Sequence, residues 1–167
     1  MGEDYAAIVC LVFVCCWDLK EKRIPNGLLL AGAGLCLFFK ASGQPPGVLT
    51  ALLQGGAALL LASPLWLLRM AGAGDVKLAA LIVGWMGVPR GLTGLALGLA
   101  LGAVWSLVRL LRGRELFLRL RQLALYAAAC LRDGVLRPYP RWEADGEAAV
   151  IPLGAYLALG TILILFF

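Results

Sequence analysis

The sequence predicts an all-α, polytopic membrane protein of about six transmembrane helices, with one further amphipathic helix lying on the cytoplasmic interface. Three observations predict it. Of the 167 residues, 62% are hydrophobic and 15% charged, with a mean hydropathy of +0.89, which leaves too little polar surface for a soluble domain. Apolar runs recur along the chain, separated by Gly-, Pro- and charge-rich turns. The cations gather in alternate connections, so the net charge of +5 reads as the positive-inside pattern and not as a nucleic-acid footprint. The whole of 1–167 is expected to form one integral membrane domain.

The first run, 5–18, ends in Trp17-Asp18. It is short of the roughly 20 residues a span needs, so the helix is expected to continue into Leu19-Lys20. Lys20 to Asn26 forms a basic turn closed by Pro25. The second run is 26–41, followed by a Gly43–Gly47 loop, and the third is 48–70. After Gly72-Ala73-Gly74-Asp75 comes a fourth run, 76–88, which at ~13 residues gives only ~20 Å of helix. Val88-Pro89-Arg90-Gly91 reads as a turn. The fifth run, 92–111, carries Gly94, Gly98 and Gly102 in tandem GxxxG steps, a pattern for close helix packing. In 112–147, Arg114, Arg121 and Arg132 oppose Leu116, Leu120, Leu123, Ala127 and Leu131 on a helical wheel, with Leu118 and Leu125 breaking the pattern. That predicts a helix lying in an anionic leaflet. The last run, 148–167, opens with Ile151-Pro152-Leu153-Gly154.

Alternating six spans puts Lys20, Lys22, Arg23, Arg69, Lys77 and the eight arginines from Arg109 to Arg141 on one side, with only Lys40 and Arg90 on the other. The basic side is therefore expected to be cytoplasmic and both termini outside. The short fourth run is counted as a span because otherwise the arginine-rich connection would be exported. The acidic start Met1-Gly2-Glu3-Asp4 lacks the basic segment of a signal peptide.

This placement puts Asp18 and Asp75 at the same membrane face. Carboxylates at membrane depth are costly and need a reason. Held a few ångströms apart, two of them cannot both ionise easily: one keeps a proton, the other acts as a base, and a water between them becomes a nucleophile. That is the aspartyl-protease arrangement, and it needs no cofactor. Rival chemistries lack their parts. The chain has no histidine to activate Ser42, Ser63 or Ser106, and Cys10, Cys15, Cys16, Cys36 and Cys130 form no CxxC pair, so no metal ligand set is predicted.

Each residue also has a plainer role. Asp18 could be a snorkelling charge paired with Lys22, and Asp75 a helix N-cap. Lys77 reads as a positive-inside anchor or as a stabiliser of ionised Asp75. Gly72 and Gly74 read as loop glycines or as a backbone kept clear for a substrate strand. Pro25 and Pro152 read as helix-boundary residues that could also shape the rim of a site. Glu143, Asp145 and Glu147 read as a solvated acidic loop, or as an attractor for a basic substrate segment.

Asp18 with Ile24-Pro25-Asn26, taken with Gly72-Ala73-Gly74-Asp75-Val76-Lys77 and Ile-Pro-Leu-Gly at the last helix, resembles the type IV prepilin peptidase family, membrane aspartyl proteases with a GxGD motif. The resemblance implies an endopeptidase that removes the short basic leader of prepilin-like proteins at the cytoplasmic face of the bacterial inner membrane, just before the substrate's hydrophobic segment. It implies that Asp18 and Asp75 are the catalytic pair. The chain lacks the zinc-binding insertion of the larger, methylating members and is similar to the short members that serve Flp/tight-adherence pili. Leu153 and Ala155 stand where the family often has an aromatic residue and a proline. Two other classes stay open on the residues alone: a small proton-coupled transporter, and a non-catalytic pilus-assembly scaffold.

Overall fold

The computed structural model describes residues 2–43, 47–68, 71–112 and 152–166, together with 121, 125, 128 and 132. The described residues are helical or lie in short connections. The helices are α1 (Gly2–Glu21), α2 (Asn26–Ser42), α3 (Gly47–Leu67), α4 (Ala73–Met86), α5 (Val88–Arg112) and α6 (Leu153–Phe166). By their contacts the residues divide into two units, Met1–Gly102 with Pro152–Phe167, and Ala103–Ile151.

The first unit carries the expected helices. α3 over Gly47–Leu67 and α5 over Val88–Arg109 are long and apolar enough to cross a membrane, while α2 and α6 are apolar but shorter. Much of the apolar surface faces outward. Leu30, Leu60, Leu61 and Leu67 are each at least 70% exposed, a surface that fits a membrane protein. Inside α3, Pro64 has no N–H to give to the carbonyl of Leu60. The Ser63 hydroxyl fills that vacancy, donating to Leu60 O at 2.7 Å, so the backbone stays satisfied at an apolar depth.

Core packing follows helical periodicity. On α1 the buried residues Ala7, Cys10, Leu11, Val14 and Asp18 fall at three- and four-residue steps on one face. On α4, Leu78, Ile82 and Trp85 are buried on the face that begins at Asp75. These faces meet in a cluster of Leu11, Val14, Leu29, Leu78, Ile82, Leu157 and Ala158, drawn from α1, α2, α4 and α6. Each of the two aspartates therefore stands at the end of a buried apolar stripe.

Small residues allow the close crossings. A Cβ on Gly55 of α3 would lie 3.1 Å from Ala80 O, and one on Gly84 would lie 3.1 Å from Ala51 O. The expected GxxxG face of α5 meets α6: a Cβ on Gly98 would lie 2.6 Å from Tyr156 O and 2.7 Å from the Leu157 Cα.

The sequence expectations shift at two boundaries. Residues 88–91 are the first turn of α5 and not a turn between helices. The break falls at Gly87, whose φ of 80° is cheap only for glycine, and Pro89 is tolerated because first-turn amides have no helical partner. The fourth helix starts earlier than its apolar run, at Ala73, so Gly74 and Asp75 lie within its first turn.

Of the second unit, residues 103–112 close α5 with Arg109 and Arg112 in its last turn. Arg121, Leu125, Ala128 and Arg132 are helical and exposed. The remainder of the expected interfacial helix, Arg69, and the acidic loop with Glu143, Asp145 and Glu147 lie outside the described residues.

Candidate active site

The first carboxylate is set by the end of α1. Asp18 occupies the buried face one turn beyond Val14 and is only 4% exposed, so it does not snorkel. The helix stops just beyond it: Lys22 donates its backbone N–H to Asp18 O at 2.8 Å and takes a left-handed φ of 52°, a helix C-terminal geometry. The chain then turns through Ile24 into α2, with extended Pro25 capping the new helix.

The second carboxylate is set by the start of α4. Asp75 is half-buried and its Oδ2 accepts the backbone N–H of Gly72 at 3.3 Å, the return half of a helix-capping arrangement. A Cβ on Gly72 would sit 2.9 Å from Asp75 Oδ2, so the glycine leaves the carboxylate room for this bond. Gly74 lies against Ile24, where a Cβ would come within 3.2 Å of the Ile24 Cβ.

The N-terminus of α6 brings the two acids together. Ala155 donates its backbone N–H to Asp18 Oδ2 at 2.8 Å, and the Gly154 amide is within backbone hydrogen-bonding reach of both carboxylates. A Cβ on Gly154 would lie 3.1 Å from Asp18 Oδ2 and 3.2 Å from Asp75 Oδ1. Those two oxygens are thus at most about 6.3 Å apart, so the two carboxylates share one site. The same Cβ would come within 2.5 Å of Ile24 Cδ1. Pro152 stands just before α6, where a fixed φ and a missing N–H cost the helix nothing. The positive end of the α6 dipole and its first-turn amides, which have no partner within the helix, compensate negative charge at the two carboxylates.

Lys77 takes another direction. Two residues after Asp75 it faces elsewhere on the helix, and its ammonium donates to Asn26 Oδ1 at 2.8 Å. Asn26 and Lys77 therefore bridge α2 and α4 beside the carboxylates. Two of the serine hydroxyls serve their own helices, with Ser42 donating to Phe38 O and Ser63 to Leu60 O.

A family model described as the type IV leader peptidase family matches residues 5–107. The chain belongs to that family. It is accordingly a peptidase, and an apolar helical chain of this kind fits a membrane protein. No curated protein and no solved structure matches it. The matched span holds Asp18, Ile24, Pro25, Asn26, Gly72, Gly74, Asp75 and Lys77 and ends before α6. The place of Gly154 and Ala155 in this leader peptidase thus comes from the structure. Sequence reasoning passed over Ile24 and Gly154 as individual site residues. Their signals were an isoleucine fixed next to a helix-starting proline, and a glycine two positions after Pro152 where a helix opens.

Proposed function

We propose that this family member is an aspartyl endopeptidase that uses Asp18 and Asp75 to activate a water. One carboxylate, ionised, takes a proton from the water as its oxygen attacks the scissile carbonyl carbon. The other, protonated, gives its proton to the carbonyl oxygen. The tetrahedral intermediate then collapses, the C–N bond breaks, and the departing nitrogen takes a proton from the pair. Roles are assigned to the pair and not to either residue, because coupled carboxylates titrate together. The observation that carries this reading is the convergence of the Asp18 and Asp75 carboxylates on the first amides of α6.

In this reading the substrate is a prepilin-like protein whose short basic leader precedes a hydrophobic segment. The peptide is presented as an extended strand near Gly72–Asp75. Residues 1–167 act as one membrane peptidase domain with six spans in the bacterial inner membrane, both termini outside and the site at the cytoplasmic edge, where water and the leader are available. The absence of an inserted cysteine cluster in the sequence supports a short, Flp/tight-adherence-type member that needs no cofactor. The test is cleavage of a co-expressed, epitope-tagged prepilin-like substrate by the wild type, Asp18→Asn and Asp75→Asn. Inactivity of both variants at normal membrane levels supports the pair. Cleavage near the wild-type rate by either variant sinks it and reopens the transporter and scaffold readings.

A further inference from the structure

Three chain breaks meet at the carboxylates: the α1–α2 connection, the start of α4 and the start of α6. The side chain of Ile24 lies between them. Its Cδ1 would be 2.5 Å from a Cβ on Gly154 and 3.6 Å from one on Gly74. Gly74 directly precedes Asp75, and a Cβ on Gly154 would stand just over 3 Å from both acids. One methyl group is therefore seated between the two glycines that adjoin the pair. Ile24 is half-buried and packs on the cluster that holds Val14, Leu78 and Leu157. The backbone that carries it has little freedom. Lys22 closes α1 with a φ of 52°, and Pro25 opens α2 in an extended conformation. A residue before proline is held to extended φ/ψ, and a β-branched side chain has few χ1 choices.

We infer that Ile24 is a positioning residue of the proposed peptidase: its Cδ1 is a spacer between Gly74 and Gly154 that sets how Asp75 stands relative to Asp18. This deepens the peptidase reading above and rests on it. Asp18 is fastened to α6 through the Ala155 amide, so a shift of α6 carries its oxygens along. Asp75 rides on α4, one residue after Gly74. A stiff spacer touching both helix starts therefore governs the gap between the two acids. Ile24 has no proton to give, so its effect on the rate runs through the glycines. An error of about 1 Å in the placement of catalytic groups costs on the order of 10²-fold. A residue that only filled the core would change the amount of folded protein and leave the rate per folded molecule alone.

The test is a methyl swap, read as cleavage of the tagged prepilin-like substrate by purified enzyme in detergent, with kcat and KM taken separately. Ile24→Ala is expected to lower kcat by at least about tenfold with KM within about twofold, the signature of misplaced reacting groups. Ile24→Val removes only Cδ1, and Gly154→Ala adds a methyl 2.5 Å from it. The first is expected to lower kcat about threefold and the second at least about tenfold, whereas the double variant runs at least about fivefold faster than Gly154→Ala alone. Leu165→Ala trims another side chain packed on the same cluster, and combined with Gly154→Ala it is expected to restore nothing. A double variant no faster than Gly154→Ala overturns the assignment. So does equal recovery with Leu165→Ala, a wild-type kcat in Ile24→Ala, or a loss confined to KM. If Ile24→Ala does not accumulate, the methyl swap decides alone. In each overturning case an inactive Asp75→Asn leaves the aspartyl reading standing. An active Asp75→Asn overturns both.

Discussion

The two ends of α1 each carry an acid, and they treat it differently. Near the N-terminus, Glu3 forms an ion pair with Lys40 of α2, and both side chains are partly exposed. At the other end, Asp18 is buried and held by the backbone amides of α6. The first arrangement is a tether between adjacent helices. The second leaves the carboxylate uncancelled by a fixed cation at its closest contact and aims it at a second carboxylate. A charge that is only structural is cheapest when paired with its opposite. One held by amide dipoles beside another acid keeps its capacity to accept or donate a proton, which acid–base chemistry needs.

The largest expected effect breaks the Asp18 end directly. Asp18→Asn and Asp75→Asn each preserve shape and remove the titrating oxygen. Each is expected to lower cleavage of a prepilin-like substrate by at least about 10³-fold, within the range that positioned acid–base groups contribute. Equal membrane levels on immunoblot show that the loss is chemical. Retention of a tenth of the activity would contradict a two-carboxylate mechanism.

Next comes the element that joins the acids. Gly154→Val adds a branched side chain where even one Cβ would reach 2.5 Å from Ile24 Cδ1 and about 3 Å from both carboxylates. It is expected to reduce turnover by roughly 10²-fold, comparable to a 1 Å misplacement of catalytic groups. Gly98→Val is the control for mere helix separation: it forces α5 from α6 at the Leu157 crossing and is expected to lower thermal stability in detergent more than Gly154→Val does. If Gly154→Val lost stability and activity in proportion, as Gly98→Val should, Gly154 would be a packing residue only.

How far the sequence revealed this site follows from the kind of information each part needs. The acids were legible because charge at membrane depth stands out, and Asp18 continues the stripe of Ala7, Leu11 and Val14 where an apolar residue is the default. That they would meet was an expectation from the alternation of apolar runs with cationic connections, and the structure brings both to Gly154. The beginning of α4 was harder, since Gly72-Ala73-Gly74 has low helix propensity and reads as a loop. Tertiary contacts, with Ile24 against Gly74 and Asp75 capping Gly72, extend the helix over it. The Gly87 break was obscured for the converse reason, because Pro89 suggests a turn yet suits a first turn equally well. Least legible were the partners. That Lys77 reaches Asn26, 51 residues earlier, and that α6 amides meet Asp18, 137 residues earlier, are facts of packing that no local pattern encodes.

A smaller effect sharpens the polar boundary of the site. Asn26→Ala removes the acceptor for Lys77, and a hydrogen bond of this kind contributes ~0.5–1.5 kcal/mol. Cleavage is expected to fall by about two- to tenfold, with Lys77→Met giving a similar fall and the double variant little more than either alone. Additive losses would show that the two residues act separately.

The smallest effect comes from the opposite end of α1. Lys40→Met or Glu3→Gln breaks a partly exposed ion pair, of a class worth ~0–1 kcal/mol. Cleavage is expected to stay within about twofold of the wild type, and the thermal midpoint in detergent to move by only a few degrees. Added salt tests the same point on the unmodified protein, because screening weakens an exposed pair far more than a buried carboxylate held by amides. A large loss of cleavage in Glu3→Gln would break the contrast between the two ends, since it would make a distant tether as necessary as the amide-held acid. A normal rate would show that the tether is dispensable for cleavage, as the contrast requires.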